Sequence, residues 1–310
     1  MTTCNDRVVQ LRTAIGLGTA PLGSSPDGPL RWGPQNSEMS VATVEAAIEA
    51  GVGWVDTAPF YGWGLAERIV GSALRSASRR VVVLTKCGTH RGAGGDVYED
   101  ASAEAVRRGV SESLERLQLD FIDVVQVHDP DPATPIETTW TALMNLVDEG
   151  LIGGAGLSNH PAALMDRALS VGPIAVVQHQ YSLLHRVPET DGTLGWCAAH
   201  GVDFLAWSPL ASGFLTDNFD IEDLVADDLR RGLRWATPSE QPRVQRILAA
   251  LRAIADRHRA TVAAVALAWT VRRSGCRAIV GARTPDEARA MLDIPPLDMA
   301  DVTLLDEVSA

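Results

Sequence analysis

Eight short apolar runs recur along the chain, most of them followed by a stretch with helical periodicity. "AIGLGT" (14–19) stands first. "WVD" (54–56) precedes "AERIVGSAL", and "VVVLTK" (81–86) precedes a helix with Val106, Val110, Leu114 and Leu117 on one face. "FIDVVQVH" (121–128), "IGGAGLS" (152–158), "AVVQ" (175–178), "VDFLAW" (202–207) and "CRAIV" (276–280) continue the rhythm. The runs are apolar without alternation, as strands covered on both faces are. Eight β-then-α units in 310 residues predict a (β/α)8 TIM barrel of the α/β class, one domain spanning 1-310.

A doubly wound sheet is the rival. Against it, the turn after the first run, "GLGTAPLG", does not make the G-x-G-x-x-G phosphate turn. "VVQLRTA" (8–14) is expected as a small hairpin closing the barrel floor. Two stretches interrupt the rhythm, residues 20–39 and 208–241. Val244, Ile247, Leu248, Leu251, Ile254 and Ala255 then give a helical stripe. In a barrel both long loops are expected on the C-terminal face, where active sites are built.

Composition narrows the function. A net charge of -12 and the lack of a basic run argue against nucleic acid as a partner. No run approaches the roughly 18 apolar residues of a membrane helix, and the first residues carry no apolar signal core. The expectation is a cytoplasmic protein with no membrane partner. Cys4, Cys87, Cys197 and Cys276 have neither metal-ligand nor redox spacing, so reduced, mostly buried thiols and no metal are expected.

The 27 lysines and arginines include a single lysine, Lys86, at the end of the third run. Asp56 ends the second run, His128 ends the fourth, and Tyr61 follows Asp56 in "DTAPFYG". Singly, each has a structural reading: a helix cap, a strand entering solvent, a packed histidine. Together they have a chemical logic. Tyrosine titrates near 10, and a neighbouring ammonium favours phenolate. A carboxylate holds the ammonium charged, and a histidine donates to a carbonyl oxygen. The set suits proton transfer to a carbonyl oxygen as hydride reaches carbon. Lysine is a compact point charge, whereas guanidinium is a planar fork.

"DTAPFYGWGLAE", "VLTKCG", "VVQVHDPD", "GLSNH", "VVQHQYSLLHR", "AWSPLASGFLT" and "IVGARTPDEA" carry a resemblance over essentially the whole length. By their order and spacing the chain resembles the aldo-keto reductase superfamily, in its bacterial NAD(P)-dependent branch. The resemblance implies a nicotinamide cofactor bound without a Rossmann domain and Tyr61 as general acid/base. It implies that Lys86 and Asp56 tune Tyr61 and that His128 orients the carbonyl. It also implies that Thr19 belongs to the cofactor site, that Ser158, Asn159 and Gln178 hold the nicotinamide carboxamide, and that Trp207 stacks on the ring. Ser208, Leu210, Gly213 and Leu215 would line the pyrophosphate, and Gly281, Ala282 and Arg283 would open the last helix at a phosphate.

Two departures bear on the cofactor. Asp217 and Asn218 stand where relatives often have Gly-Lys. Glu287, then Ala290 and Met291, replace residues that relatives use for the adenosine. Arg283 suits the 2′-phosphate of NADP, and Glu287 suits a ribose hydroxyl of NAD. NADP(H) is favoured, with NAD(H) as the alternative.

Trp32, Trp63 and Trp235 read equally as pocket walls or loop anchors. Asp129 and Asp131 read as substrate-facing carboxylates or turn caps. The expected partner is a small-molecule aldehyde, ketone, sugar or keto-sugar, and the sequence leaves the oligomer open. Two other functions remain: an aldose or alcohol dehydrogenase running in oxidation, and a cofactor-sensing regulatory partner resembling potassium-channel β subunits.

Overall fold

Parallel strands join side by side until the last in sequence meets the first. The structure, a computed structural model, describes residues 10–217 and 219–310. Its elements run β1 (Ile15–Gly18), α1 (Ser37–Ala50), β2 (Trp54–Asp56), α2 (Leu65–Ser76), β3 (Val82–Cys87), β4 (Thr89–Arg91), β5 (Val97–Glu99) and α3 (Ala103–Leu117). There follow β6 (Val124–Val127), α4 (Ile136–Asp148), β7 (Ala155–Ser158), α5 (Ala162–Leu169), β8 (Val176–Gln180), α6 (Thr193–His200) and β9 (Asp203–Trp207). The chain closes with α7 (Gln241–His258), α8 (Val262–Thr270), β10 (Cys276–Gly281), α9 (Pro285–Ala290) and α10 (Met299–Ser309). The barrel order is β1-β10-β9-β8-β7-β6-β3-β2, so the predicted (β/α)8 barrel is the observed fold.

Helix boundaries follow local chemistry. The Asn36 side chain accepts from the Glu38 and Met39 N–H groups to start α1, and Ser102 accepts from Ala105 to start α3. Gly51, at φ 116°, ends α1 in the left-handed region. The stripe of α3 is inward as expected: Val106, Val110 and Leu117 are buried and Leu114 packs against the core. The α7 stripe is likewise buried.

Side chains alternate along a strand, and the inward set fills the barrel. Trp54, Leu84, Val124, Val176, Leu205 and Ile279 form one apolar cluster with Leu11. Trp54 is fully buried, donates its indole N–H to the Thr13 carbonyl at 3.0 Å, and lies where a β-carbon on Gly16 would overlap its ring. Glycine at 16 therefore makes room for the indole.

Two expectations need correction. The hairpin in "VVQLRTA" falls partly outside the described residues, and residues 10–14 form no strand; Leu11 instead joins the apolar cluster that holds Trp54. The connection after β3 holds an antiparallel hairpin, β4–β5, that the sequence reading lacked. Among the described residues no helix is long and apolar enough to cross a membrane. Cys87, Cys197 and Cys276 are free and buried, while Cys4 lies outside the described residues.

Candidate active site

One step further along the strands the inward positions turn polar. Two residues beyond Trp54, Leu84, Val124 and Val176 come Asp56, Lys86, Gln126 and Gln178. All four are buried and bonded to one another. The Lys86 ammonium donates to Asp56 Oδ1 at 2.5 Å, to the Thr57 carbonyl at 3.1 Å and to the Tyr61 hydroxyl at 3.2 Å. Asp56 Oδ2 accepts from Gln126 Nε2 at 3.0 Å and Gln178 Nε2 at 2.9 Å. Every oxygen of the carboxylate is thus engaged, which a buried charge requires.

Tyr61 comes over the top of this layer from the turn after β2. Its ring is 5.0 Å from the Lys86 ammonium and lies edge-on to His128, with centroids 6.0 Å apart. Phe60 packs edge-on to both His128 and Trp63. Charge follows from this setting. Burial disfavours the Lys86 ammonium, but Asp56 and then Tyr61 more than offset it, and the lysine pKa stands above its ordinary value. Burial raises the Tyr61 pKa, Lys86 pulls it down, and Asp56 raises it again; the net direction is upward. Lys86 does pull the phenol down as expected, but burial outweighs the ammonium. His128 is held neutral by burial and by Lys86, with its pKa well below the usual imidazole range.

The nicotinamide candidates converge beside this layer. Asn159 adopts φ 60° and links three elements: its N–H donates to the Gln178 carbonyl at 2.9 Å, and its Nδ2 donates to Asp129 Oδ1 at 2.9 Å. Its Oδ1 accepts the Trp207 indole N–H at 3.0 Å. Trp207 is partly exposed at the barrel mouth, whereas Ser158 is buried. Gln178 has its amide nitrogen turned to Asp56 and Gln126, so it belongs to the buried Asp56–Lys86 layer as well. Thr19 is buried and bonds the Asp56 carbonyl through both its N–H and its hydroxyl. Gln126 was not anticipated; the signal was a lone glutamine within the apolar "VVQV" strand, in phase with His128.

After β9 the backbone takes left-handed conformations at Ser208, Ala211, Ser212 and Gly213, with φ of 54°, 49°, 61° and 103°. Left-handed non-glycine residues carry strain that clusters at functional sites, and turns of this kind gather N–H groups toward an anion. Ser208, Leu210 and Gly213 sit on this turn, partly exposed, while the Leu215 side chain is fully buried. The partly exposed indole and this turn fit a nicotinamide dinucleotide.

At the far end the last barrel strand runs into a short helix. Gly281 ends β10, Ala282 is buried, and Arg283 precedes Thr284, which caps α9, so these residues lead into the "PDEARAML" helix as expected; a further helix, α10, follows it. Arg283 donates through Nη2 to the Pro34 carbonyl at 2.6 Å and through Nε to Gln35 at 3.3 Å. Glu287 is exposed and accepts from the Arg283 N–H at 2.7 Å. Asp217 accepts from the Val262 N–H at the start of α8, and Asn218 lies outside the described residues.

Of the three tryptophans, Trp63 stands beside Phe60 with Arg91 of the hairpin 5.5 Å from its ring. Trp32 packs beneath Arg230, 5.7 Å away, and joins the two long loops. Trp235 is buried in the core and anchors its own loop. Asp129 is held by Asn159 next to His128, and burial raises its pKa. Asp131 caps backbone N–H groups of Ala101 and Ala133. Glu99 of β5 accepts from Thr89 at 2.8 Å, and burial lifts its pKa to about 7, with Asp129 and Asp131 adding to the rise.

The aldo/keto reductase family model matches residues 14–310. An NADH-specific methylglyoxal reductase of Escherichia coli is 32% identical, covering 95% of this chain and 94% of its own. The glycerol dehydrogenase of Gluconobacter oxydans superposes with a TM-score of 0.86 at 28% identity, covering 96% of this chain and 91% of its own. An aldo-keto reductase from Klebsiella pneumoniae in complex with NADPH gives 0.72 at 30% identity, covering 96% and 90%. Barrel, site and whole-length match agree: the chain is an oxidoreductase that belongs to the aldo/keto reductase family.

Proposed function

We propose that the protein reduces a small, oxygen-rich aldehyde or ketone to the alcohol, with Tyr61 as the proton donor. The observation that carries this is the Lys86 ammonium, bonded to Asp56 at 2.5 Å and to the Tyr61 hydroxyl at 3.2 Å. A bound dihydronicotinamide supplies the hydride. Tyr61 gives its proton to the carbonyl oxygen, and Lys86 stabilises the phenolate that this leaves. His128, neutral, donates an N–H to the same oxygen and so orients the carbonyl. Asp56 keeps Lys86 charged, and the two glutamines hold Asp56 in place. Trp207, Ser158 and Asn159 hold the nicotinamide.

Half-buried Asp129, which follows His128, and Glu99, whose pKa Asp129 helps to raise, support an oxygen-rich substrate, since carboxyl groups accept hydrogen bonds from hydroxyl groups. The relatives named for methylglyoxal and glycerol act on compounds of that kind.

NADP(H) is the cofactor of the leading reading, with Arg283 as the partner of the 2′-phosphate. A second reading, NAD(H), is favoured by Glu287, whose carboxylate already takes the Arg283 N–H. Titration of each cofactor against the wild type and Arg283→Ala, followed by quenching of protein fluorescence, separates them. Selective loss of NADPH affinity, roughly tenfold to a hundredfold, supports the first. Tighter wild-type binding of NADH establishes the second.

A further inference from the structure

The motif "DTAPFYGWGLAE" ends in a glutamate that the proposed chemistry does not use. Glu67 lies in the first turn of α2, outside the barrel, and is completely buried. Its Oε1 accepts from the Thr85 hydroxyl at 2.7 Å, and its Oε2 accepts from Arg116 Nε of α3 at 2.5 Å. A buried carboxylate is costly unless it is paired and bonded, and both oxygens here are. Such a pair contributes little net stability over well-packed apolar groups. Its geometry is what distinguishes it.

Thr85 precedes Lys86 on β3 and points to the opposite face. A bond at Thr85 therefore fixes the strand from behind while Lys86 projects into the site. At its other end Glu67 belongs to the turn that carries Tyr61. The Ala66 N–H donates to the Tyr61 carbonyl at 3.2 Å, and the Leu65 N–H donates to the Gly62 carbonyl at 3.2 Å. Arg116 braces the same turn: a β-carbon on Gly64, at φ 84°, would overlap Arg116 Cδ. The glycine thus lets the arginine stem lie against the turn.

We infer that Glu67, clamped by Arg116, is a positioning residue that sets the distance between the Tyr61 hydroxyl and the Lys86 ammonium. The two catalytic side chains come from separate segments, a loop and a strand. Their 3.2 Å contact closes a ring whose back is the Thr85–Glu67 bond. Loosening that bond lets the loop and the strand drift independently. A displacement near 1 Å at a reacting group costs roughly a hundredfold in rate, and a partial drift correspondingly less.

This inference rests on Tyr61 acting as the proton donor, and its test separates the two. Thr85→Val removes the hydroxyl and keeps the shape. Turnover is measured for the wild type, Thr85→Val, Tyr61→Phe and the double variant, with thermal midpoints and cofactor affinity recorded for each. Thr85→Val is expected to lower kcat about tenfold with KM within about twofold, the mark of a lost transition-state interaction. In the Tyr61→Phe background the same substitution is expected to change the residual kcat by less than about twofold, because the residue it acts through is gone. Equal losses in both backgrounds, or a wild-type kcat in Thr85→Val, overturn the positioning role while leaving Tyr61 as the acid. Full activity of Tyr61→Phe overturns the proposed chemistry and this inference with it. Should Thr85→Val not fold, the same cycle with Thr85→Ala, which likewise removes the hydroxyl that Glu67 accepts from, decides the question by the same outcomes.

Discussion

Trp207 donates its indole N–H to Asn159 Oδ1 at 3.0 Å, so the ring at the barrel mouth is oriented by a side chain from another strand. Asn159 is itself held by Asp129 and in the left-handed region, where asparagine is better tolerated than most residues. Asn159→Ala is therefore expected to weaken nicotinamide binding about tenfold, through loss of one hydrogen bond and a freed indole. Fluorescence titration with NADPH and NADH checks this. A variant that binds both as the wild type does removes Asn159 from the cofactor site.

Tyr61→Phe keeps the ring against His128 and removes the transferable proton. Turnover is expected to fall by at least ~10²-fold, the lower range for general acid–base catalysis, with cofactor affinity unchanged. Single-turnover kinetics with a generic aldehyde give the measurement.

Lys86→Arg keeps a positive charge in a space that is closed on three sides by Asp56, the Thr57 carbonyl and Tyr61. Guanidinium is larger and planar, so the 3.2 Å contact to the phenol cannot be reproduced alongside the Asp56 bond. We expect kcat to drop by about 10²-fold and the pH–rate profile to change shape. Retention of the wild-type rate and profile would refute the assigned role of the lysine.

Glu99 provides a stability test with a definite sign. Its pKa rises from an ordinary 4.5 to about 7 in the folded chain. The folded state therefore keeps a proton that the unfolded chain has released, and stability falls as pH rises through that window. Glu99→Gln is expected to raise the thermal midpoint at about pH 8, by the equivalent of roughly 1 kcal/mol once solvent screening of this half-exposed group is allowed for. The difference should vanish below the unfolded pKa. Denaturation curves across the window show whether it does.

Much of this molecule could be read before folding it. The barrel strands were visible because each is a buried apolar run with no alternation, and the ends of three of them carried Asp56, Lys86 and His128. Gln126 escaped because a polar residue inside "VVQV" was taken as part of a strand rather than as the next inward position after Val124. The β4–β5 hairpin escaped because its strands, Thr89–Arg91 and Val97–Glu99, are too short for periodicity to register around a glycine-rich turn. Trp235 read equally as wall or anchor, since both uses place an aromatic residue in a long loop; its burial in the core favours the anchor. Asp217 looked like a change to the cofactor site, yet it caps a helix, a distinction that only the path of the chain after β9 reveals.

The Trp54 indole fills the middle of the barrel two residues before Asp56 on the same strand, so the polar layer rests on an apolar plug. Asp56, Lys86, Gln126 and Gln178 sit on strands, whereas the hairpin and the two long connections lie outside them. Selection can thus rewrite what the entrance admits, through the hairpin and the two long connections, while the reaction carried out at its floor stays the same.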